Sequence, residues 1–193
     1  MSTTDPGGVA TPQAMPRAVG VLAEAAPLLL HGKPIASHAL RALRDARVDV
    51  VPADLPWKSV LARGLPLVVH DPACPLTPAT FIDEMVDRVS ASDRVQVGCR
   101  PVTDTIKVAI SCRVGSTVDR ESLFEVTAPV VVPFSVLGAL GSWPDLSDVA
   151  GLVTGLRVEH VVDLVPAPSL GRRVDDESDV LLLEAFEELD RGN

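Results

Sequence analysis

The chain has 193 residues, 47% of them hydrophobic, which is enough for one domain with a sizeable core. Aromatic residues are only 3% and tyrosine is absent, so that core must be built from Val, Leu and Ala. A formal net charge of -9, with no basic stripe, excludes the phosphate-tracking electrostatics of a nucleic-acid binder. No apolar run approaches the ~20 residues that span a bilayer.

Residues 1–16, rich in Pro, Gly, Ser and Thr, read as a disordered leader without the basic-then-apolar order of a secretory signal. A single domain is expected over 17–190, in a cytoplasmic protein. Its first strand is "RAVGVLA" (17–23). "PIASHALRALRDA" (34–46) sets Ile35, Ala39, Leu40 and Leu43 on one helical face. "RVDVV" (47–51) reads as a strand, "WKSVLAR" (57–63) as a short helix and "LPLVVHD" (65–71) as an apolar strand with a polar end. "TPATFIDEMVDRV" (77–89) is the clearest helix, with Thr77 as its cap and Phe81, Ile82, Met85, Val86 and Val89 as its stripe.

Two strand-like runs follow, "RVQVGC" (94–99) and "KVAISCRV" (107–114), with a turn expected at Gly115–Ser116. Helices are expected over 133–140 and 145–156, a strand over 157–165 and an acidic helix over 176–190 whose buried side is Leu181, Leu182 and Phe186. Alternating strands and helices predict an α/β domain with a mostly parallel sheet.

In such sheets ligands gather beyond the carboxyl ends of the strands. Asp71, just after "PLVV", falls at such an end and is either a cleft-facing group or the cap of the next turn. The three cysteines, Cys74, Cys99 and Cys112, are scattered without metal-site spacing and read as reduced thiols. A nucleophilic role for Cys74 would need a base beside it, and His70 points the other way if the strand stays extended.

Four segments together, "VVHDPACPL" (68–76), "RPVTDTIK" (100–107), "STVDRESLFEVTAP" (116–129) and "VDDESDVLLLEAFEEL" (174–189), resemble one family. It is the 2-C-methyl-D-erythritol 4-phosphate cytidylyltransferases of the non-mevalonate isoprenoid pathway, with their ribitol-phosphate relatives. The resemblance implies a nucleotidyltransferase-type (nucleotide-diphospho-sugar transferase-like) α/β fold with a protruding β-arm, about 100–126. It also implies transfer of CMP from CTP to a sugar-alcohol phosphate, and a homodimer clasped through the arm.

Carried over by resemblance, Asp71 and Arg173 are the catalytic candidates, Arg173 standing where the family has a lysine. Asp104, Thr105, Lys107 and Arg120 are the substrate-binding candidates on the arm. Lys33 and Lys58 are the remaining candidates for the nucleotide. Asp71 would meet Mg²⁺, an ion expected only if nucleotide brings it.

The departures from the family fall on the nucleotide side. Where its members carry a glycine-rich, cationic loop after the first strand, this chain has no glycine between Gly20 and Gly32 and no Lys or Arg between Arg17 and Lys33. Cys74 replaces an arginine, and a stretch between Ala46 and Pro66 is shortened. The expectation is a cytidylyltransferase-like protein impaired in catalysis, acting through dimerisation, with itself or an intact paralogue, or by binding a phosphorylated ligand. The alternative is a divergent active enzyme.

Overall fold

The computed structural model describes residues 15–24, 26–103, 107–110, 113–117, 119–120 and 123–191. Its centre is a six-stranded sheet in the order β10-β6-β9-β5-β1-β4. The strands are β1 (Ala18–Leu22), β4 (Val48–Val50), β5 (Leu67–His70), β6 (Val95–Pro101), β9 (Phe124–Val132) and β10 (Val162–Pro166). β1 pairs in parallel with β4 and β5, and β10 with β6, whereas β9 runs antiparallel to both β5 and β6. The expected mostly parallel α/β sheet is therefore present, with one reversed strand at its middle.

Its inner strands β1, β5, β6 and β9 are mostly buried on both faces, which is why they read as near-continuous apolar runs rather than alternating patterns, whereas the edge strand β10 is largely exposed or half-buried. On one face α1 (Ile35–Asp45) and α3 (Ala79–Ser92) pack through Leu43, Phe81, Ile82, Met85, Val86 and Val89 onto Ala18, Val48, Val68 and Val131. On the other, α2 (Trp57–Leu61), α4 (Phe134–Leu140) and α5 (Val149–Glu159) cover Val19, Val69, Val97 and Val130. With Tyr absent and four Phe in the chain, close β-branched packing supplies the core contacts that aromatics provide elsewhere.

The apolar stripe expected for α3 is the buried one. Thr77 does not cap this helix: Pro78 takes the cap position, and the Thr77 hydroxyl turns back to donate to the Cys74 carbonyl at 2.9 Å. Proline at the helix start forfeits no intrahelical bond, so the hydroxyl is free to tie down the preceding turn.

Gly20, in the middle of β1, lies where α1 and β4 close most tightly. A Cβ there would meet Val48 Cγ1 at 2.4 Å. Gly20→Ala is expected to cost about 1–3 kcal/mol through overpacking, and Val48→Ala in the same chain should recover part of it. Urea unfolding of the two variants measures this; an unchanged midpoint for Gly20→Ala would show that the valine rotates away freely.

Three local assignments differ from the sequence reading. β2 (Leu29–Leu30) and β3 (Lys33–Pro34) form a small hairpin through His31 and Gly32, both at positive φ (49° and 71°), the geometry of a tight two-residue turn. The expected strand 107–114 is instead two strands, β7 (Lys107–Ile110) and β8 (Arg113–Thr117), paired antiparallel, so Gly115 and Ser116 lie within β8 rather than in a turn. The segment expected as a strand from residue 157 stays helical to Glu159, and pairing begins only where Val162 meets Val95. Valine and arginine satisfy either conformation locally; the neighbouring strand decides.

The last helix, α6 (Glu177–Arg191), corrects its predicted face. Leu181, Leu182 and Phe186 are exposed, and Val180 and Leu183 are the buried residues. They pack with Leu30, Ile35 and Val174 into a satellite core beneath the β2–β3 hairpin. In a run of three leucines several helical faces are apolar, and only the position of the hairpin selects one.

Candidate functional site

β1 and β5 run parallel and end together, and β9 begins beside them because it is antiparallel to β5. At this shared edge lies a cavity of about 430 Å³. Its walls are Ala23 and Glu24 after β1, Asp71 after β5, Phe124, Glu125 and Val126 of β9, residues 146–150 at the start of α5, and Arg173. The position is the one that strand-end geometry leads one to expect.

Asp71 is 7% exposed and has both carboxylate oxygens engaged. Oδ1 accepts the Ala73 N–H at 2.8 Å, a local Asx turn, and Oδ2 accepts from Arg173 Nη1. Asp71 therefore fills both roles the sequence left open, closing the turn and facing the cleft. Arg173 also donates from Nε to Asp175 at 2.8 Å. Burial would lower its affinity for its proton, but Asp71 and Asp175 outweigh that and hold the guanidinium above its ordinary range. Arg173 is thus a cation already neutralised by two carboxylates.

The remaining charged wall is acidic. Burial, then the nearby Asp175, pushes the Glu125 carboxyl above the usual carboxylate range. Asp148 caps α5 by accepting the Gly151 N–H at 2.8 Å. The backbone after β1 is tied down on both sides: Ala23 N–H donates to the His70 carbonyl (2.9 Å) and Glu24 N–H to the Leu146 carbonyl (3.2 Å). These bonds take up main-chain donors that an anion-cradling loop would keep open.

The other predicted residues are dispersed. Lys33 sits exposed on β3 and Lys58 on α2, and neither lines the cavity. Arg17 is held by Asp83 and Asp87 of α3. Lys107 and Arg120 are exposed and do not line this cavity, and Arg120 Nη1 donates to the Thr103 carbonyl at 2.6 Å. Asp104 and Thr105 lie outside the described residues.

Sequence reasoning missed Glu24, Glu125 and Asp148. Glu24 and Asp148 had a legible signal, each following an apolar run or preceding a helix, but Glu125 reaches the cavity only through the antiparallel placement of β9.

Cys74 is fully buried, accepts the Ala128 N–H at 3.4 Å, and burial pushes its thiol up to about 12. Such a thiol is neither ionised nor reachable, which removes it as a nucleophile. His70 is likewise 0% exposed, and strand alternation sets it with Val68 on the α1–α3 side.

The sequence resemblance implies a divalent cation near Asp71. The residues present do not fit a resident ion. Both Asp71 oxygens already accept a hydrogen bond, one of them from the Arg173 cation that would compete with a metal for it, and among the described residues no group of three or more His, Cys, Asp or Glu could hold a metal.

A helix-covered α/β sheet, one antiparallel strand at its centre and a cavity at the strand ends are combined in the nucleotidyltransferase-type α/β fold, to which superposition on solved structures assigns this chain. Solved structures share this fold. The 2-C-methyl-D-erythritol 4-phosphate cytidylyltransferase from Thermus thermophilus superposes with a TM-score of 0.64 at 19% identity, over 89% of this chain and 99% of that one. The Francisella tularensis protein of the same name gives 0.60 at 12% identity, over 86% and 97%.

The family model of 2-C-methyl-D-erythritol 4-phosphate cytidylyltransferase (IspD) matches residues 45–142, half of the chain, and the protein belongs to that family. Among curated relatives, the Frankia casuarinae cytidylyltransferase is 33% identical over 123 residues, 62% of this chain and 46% of its own length. A bifunctional IspD/IspF enzyme of Granulibacter bethesdensis is 32% identical over 126 residues, 61% of this chain and 31% of its own length. The chain thus spans less than half the length of these two relatives.

Proposed function

We propose that this chain is a cytidylyltransferase-like protein of the methylerythritol phosphate type in which CMP transfer is lost or nearly lost. It acts in the cytoplasm through dimerisation, by an arm at about 100–126 built on the β7–β8 hairpin, or by holding a phosphorylated ligand. Residues 17–190 form its single domain.

One observation carries this reading: the cavity at the strand ends is walled by Glu24, Asp71, Glu125 and Asp148, and Arg173, the one cation among the described residues that line it, is already bound to Asp71 and Asp175. A triphosphate brings several negative charges into a site, and stabilising them is the main work of phosphoryl transfer. Loss of one preorganised charge contact costs on the order of 10²–10³ in rate. Here Lys33, Lys58 and Arg17 all stand outside the cavity.

In the rival reading of a divergent active enzyme, Asp71 and Arg173 separate on binding. Arg173 would then be free to meet the substrate phosphate, Asp71 would be available to a Mg²⁺ arriving with CTP, and Asp104, Thr105, Lys107 and Arg120 would complete the site from the arm. The persistence of Asp71 and Arg173 side by side favours keeping this reading in the test.

Calorimetric titration with CTP and Mg²⁺ separates the two. The expected result is no heat or a millimolar dissociation constant, and micromolar binding overturns the proposal. Sedimentation of the same sample, alone and mixed with an intact paralogue, should show a dimer; a monomer in both would remove the dimerisation role.

A further inference from the structure

α6 has two apolar faces, and the fold uses only one. Val180 and Leu183 are buried against Leu30, Ile35 and Val174. On the same side His31 holds the helix at two points. Its backbone N–H donates to Glu184 Oε1 at 2.7 Å, and its Nε2 lies 2.6 Å from Glu187 Oε2.

With that side held, Leu182, Phe186 and Leu189 face away from the domain at i, i+4 and i+7. They are 45%, 39% and 67% exposed, with exposed Ala185 between them. Arg172 lies 5.3 Å from the centre of the Phe186 ring and flanks the stripe at one place. Scattered surface leucines need no explanation, but a continuous apolar stripe on a helix anchored on its other side does.

The rim of the stripe says what kind of partner fits. At about 100° per residue, Asp179 and Asp190 border the stripe on one side and Glu188 on the other. A second copy would set these carboxylates against their own equivalents, in a chain of formal charge -9. We propose that this face of α6 docks a basic amphipathic helix of another protein. The apolar anchors of that helix pack on Leu182, Phe186 and Leu189, and its Lys and Arg residues meet the acidic rims. The assignment does not depend on whether the strand-end cavity binds nucleotide.

The test uses the full chain and two labelled 18-residue helical peptides as probes. Both carry leucine at i, i+3, i+4 and i+7; one has Lys and Arg at the flanking positions and the other Glu. Fluorescence anisotropy should show the cationic peptide bound at least tenfold more tightly, with affinity falling as salt rises. Leu182→Ser/Phe186→Ser should weaken it at least tenfold at an unchanged melting temperature. If Arg172 makes Phe186 structurally necessary, Leu189→Ser alone serves, with a loss of threefold or more. Equal binding of the two peptides, or binding that survives these substitutions, overturns the proposal. So does a sedimenting dimer that dissociates on Leu189→Ser, since a second copy would then be the occupant.

Discussion

Replacing His70 with leucine is expected to remove a large part of the protein's acid sensitivity between pH 6.5 and 4. His70 is fully buried, and among the described residues neither ring nitrogen has a hydrogen-bond partner. Burial lowers its pKa from 6.5 to about 4. Over that interval the unfolded chain binds a proton that the native protein does not, so stability rises with pH. The contribution is fully present above about 6.5 and is lost as the pH falls through the native value. At 1.36 kcal/mol per pH unit the span is worth about 3 kcal/mol. Unfolding free energies of wild type and His70→Leu from urea titrations between pH 7 and 4 should diverge by that order in favour of the variant at the acid end. Parallel curves would show that another group controls the acid limb. At neutral pH the change should be small, because leucine removes two unsatisfied polar atoms while keeping most of the volume.

The second large effect concerns the Asp71–Arg173 pair. Arg173→Ala leaves a carboxylate that is almost wholly buried with only the Ala73 N–H to offset its charge. Breaking a fully buried pair by removing one partner costs about 3–5 kcal/mol. The Arg173 side chain is 36% exposed, so the expected loss is lower, about 2 kcal/mol. Adding Asp71→Asn to the same chain should return much of the loss, because the stranded charge is then gone. The cycle of single and double variants measures the coupling directly. Full additivity of the two changes would show that the contact contributes nothing, and that Arg173 is free to meet a phosphate. The pair therefore connects stability with function, since whatever holds Arg173 to Asp71 must be overcome by any anion that uses it.

Much of this architecture was legible without coordinates. The stripe Phe81, Ile82, Met85, Val86 and Val89 settles α3 because a period of 3.6 belongs to the segment itself. The valine runs of β1 and β5 read as buried strands for the same reason, and Asp71 followed as a strand-end group. Asp104, Thr105, Lys107 and Arg120 acquire a substrate-binding role only through resemblance. The structure leaves Lys107 and Arg120 on exposed positions outside the cavity and does not describe the other two.

The division into β7 and β8, the continuation of α5 and the buried side of α6 elude the sequence for a shared reason. Each depends on which neighbour is present, and the segments suit more than one neighbour. Leu181, Leu182 and Leu183 are alike as residues, yet only Leu183 lies under the hairpin.

The sequence by itself determined the α/β class, the buried strands β1 and β5, the helix α3, the family resemblance and the shortage of glycine and cations after β1, because these rest on local periodicity and residue identity. Tertiary structure alone decided that β9 runs against β5 and so carries Glu125 to the cavity. It alone decided that Arg173, 102 residues along the chain from Asp71, closes onto that carboxylate. It also decided that α6 turns its Leu182–Leu189 face outward. Charges far apart in the chain acquire their energetics only when the fold sets their separation and their access to water, and no pattern along the chain encodes either quantity.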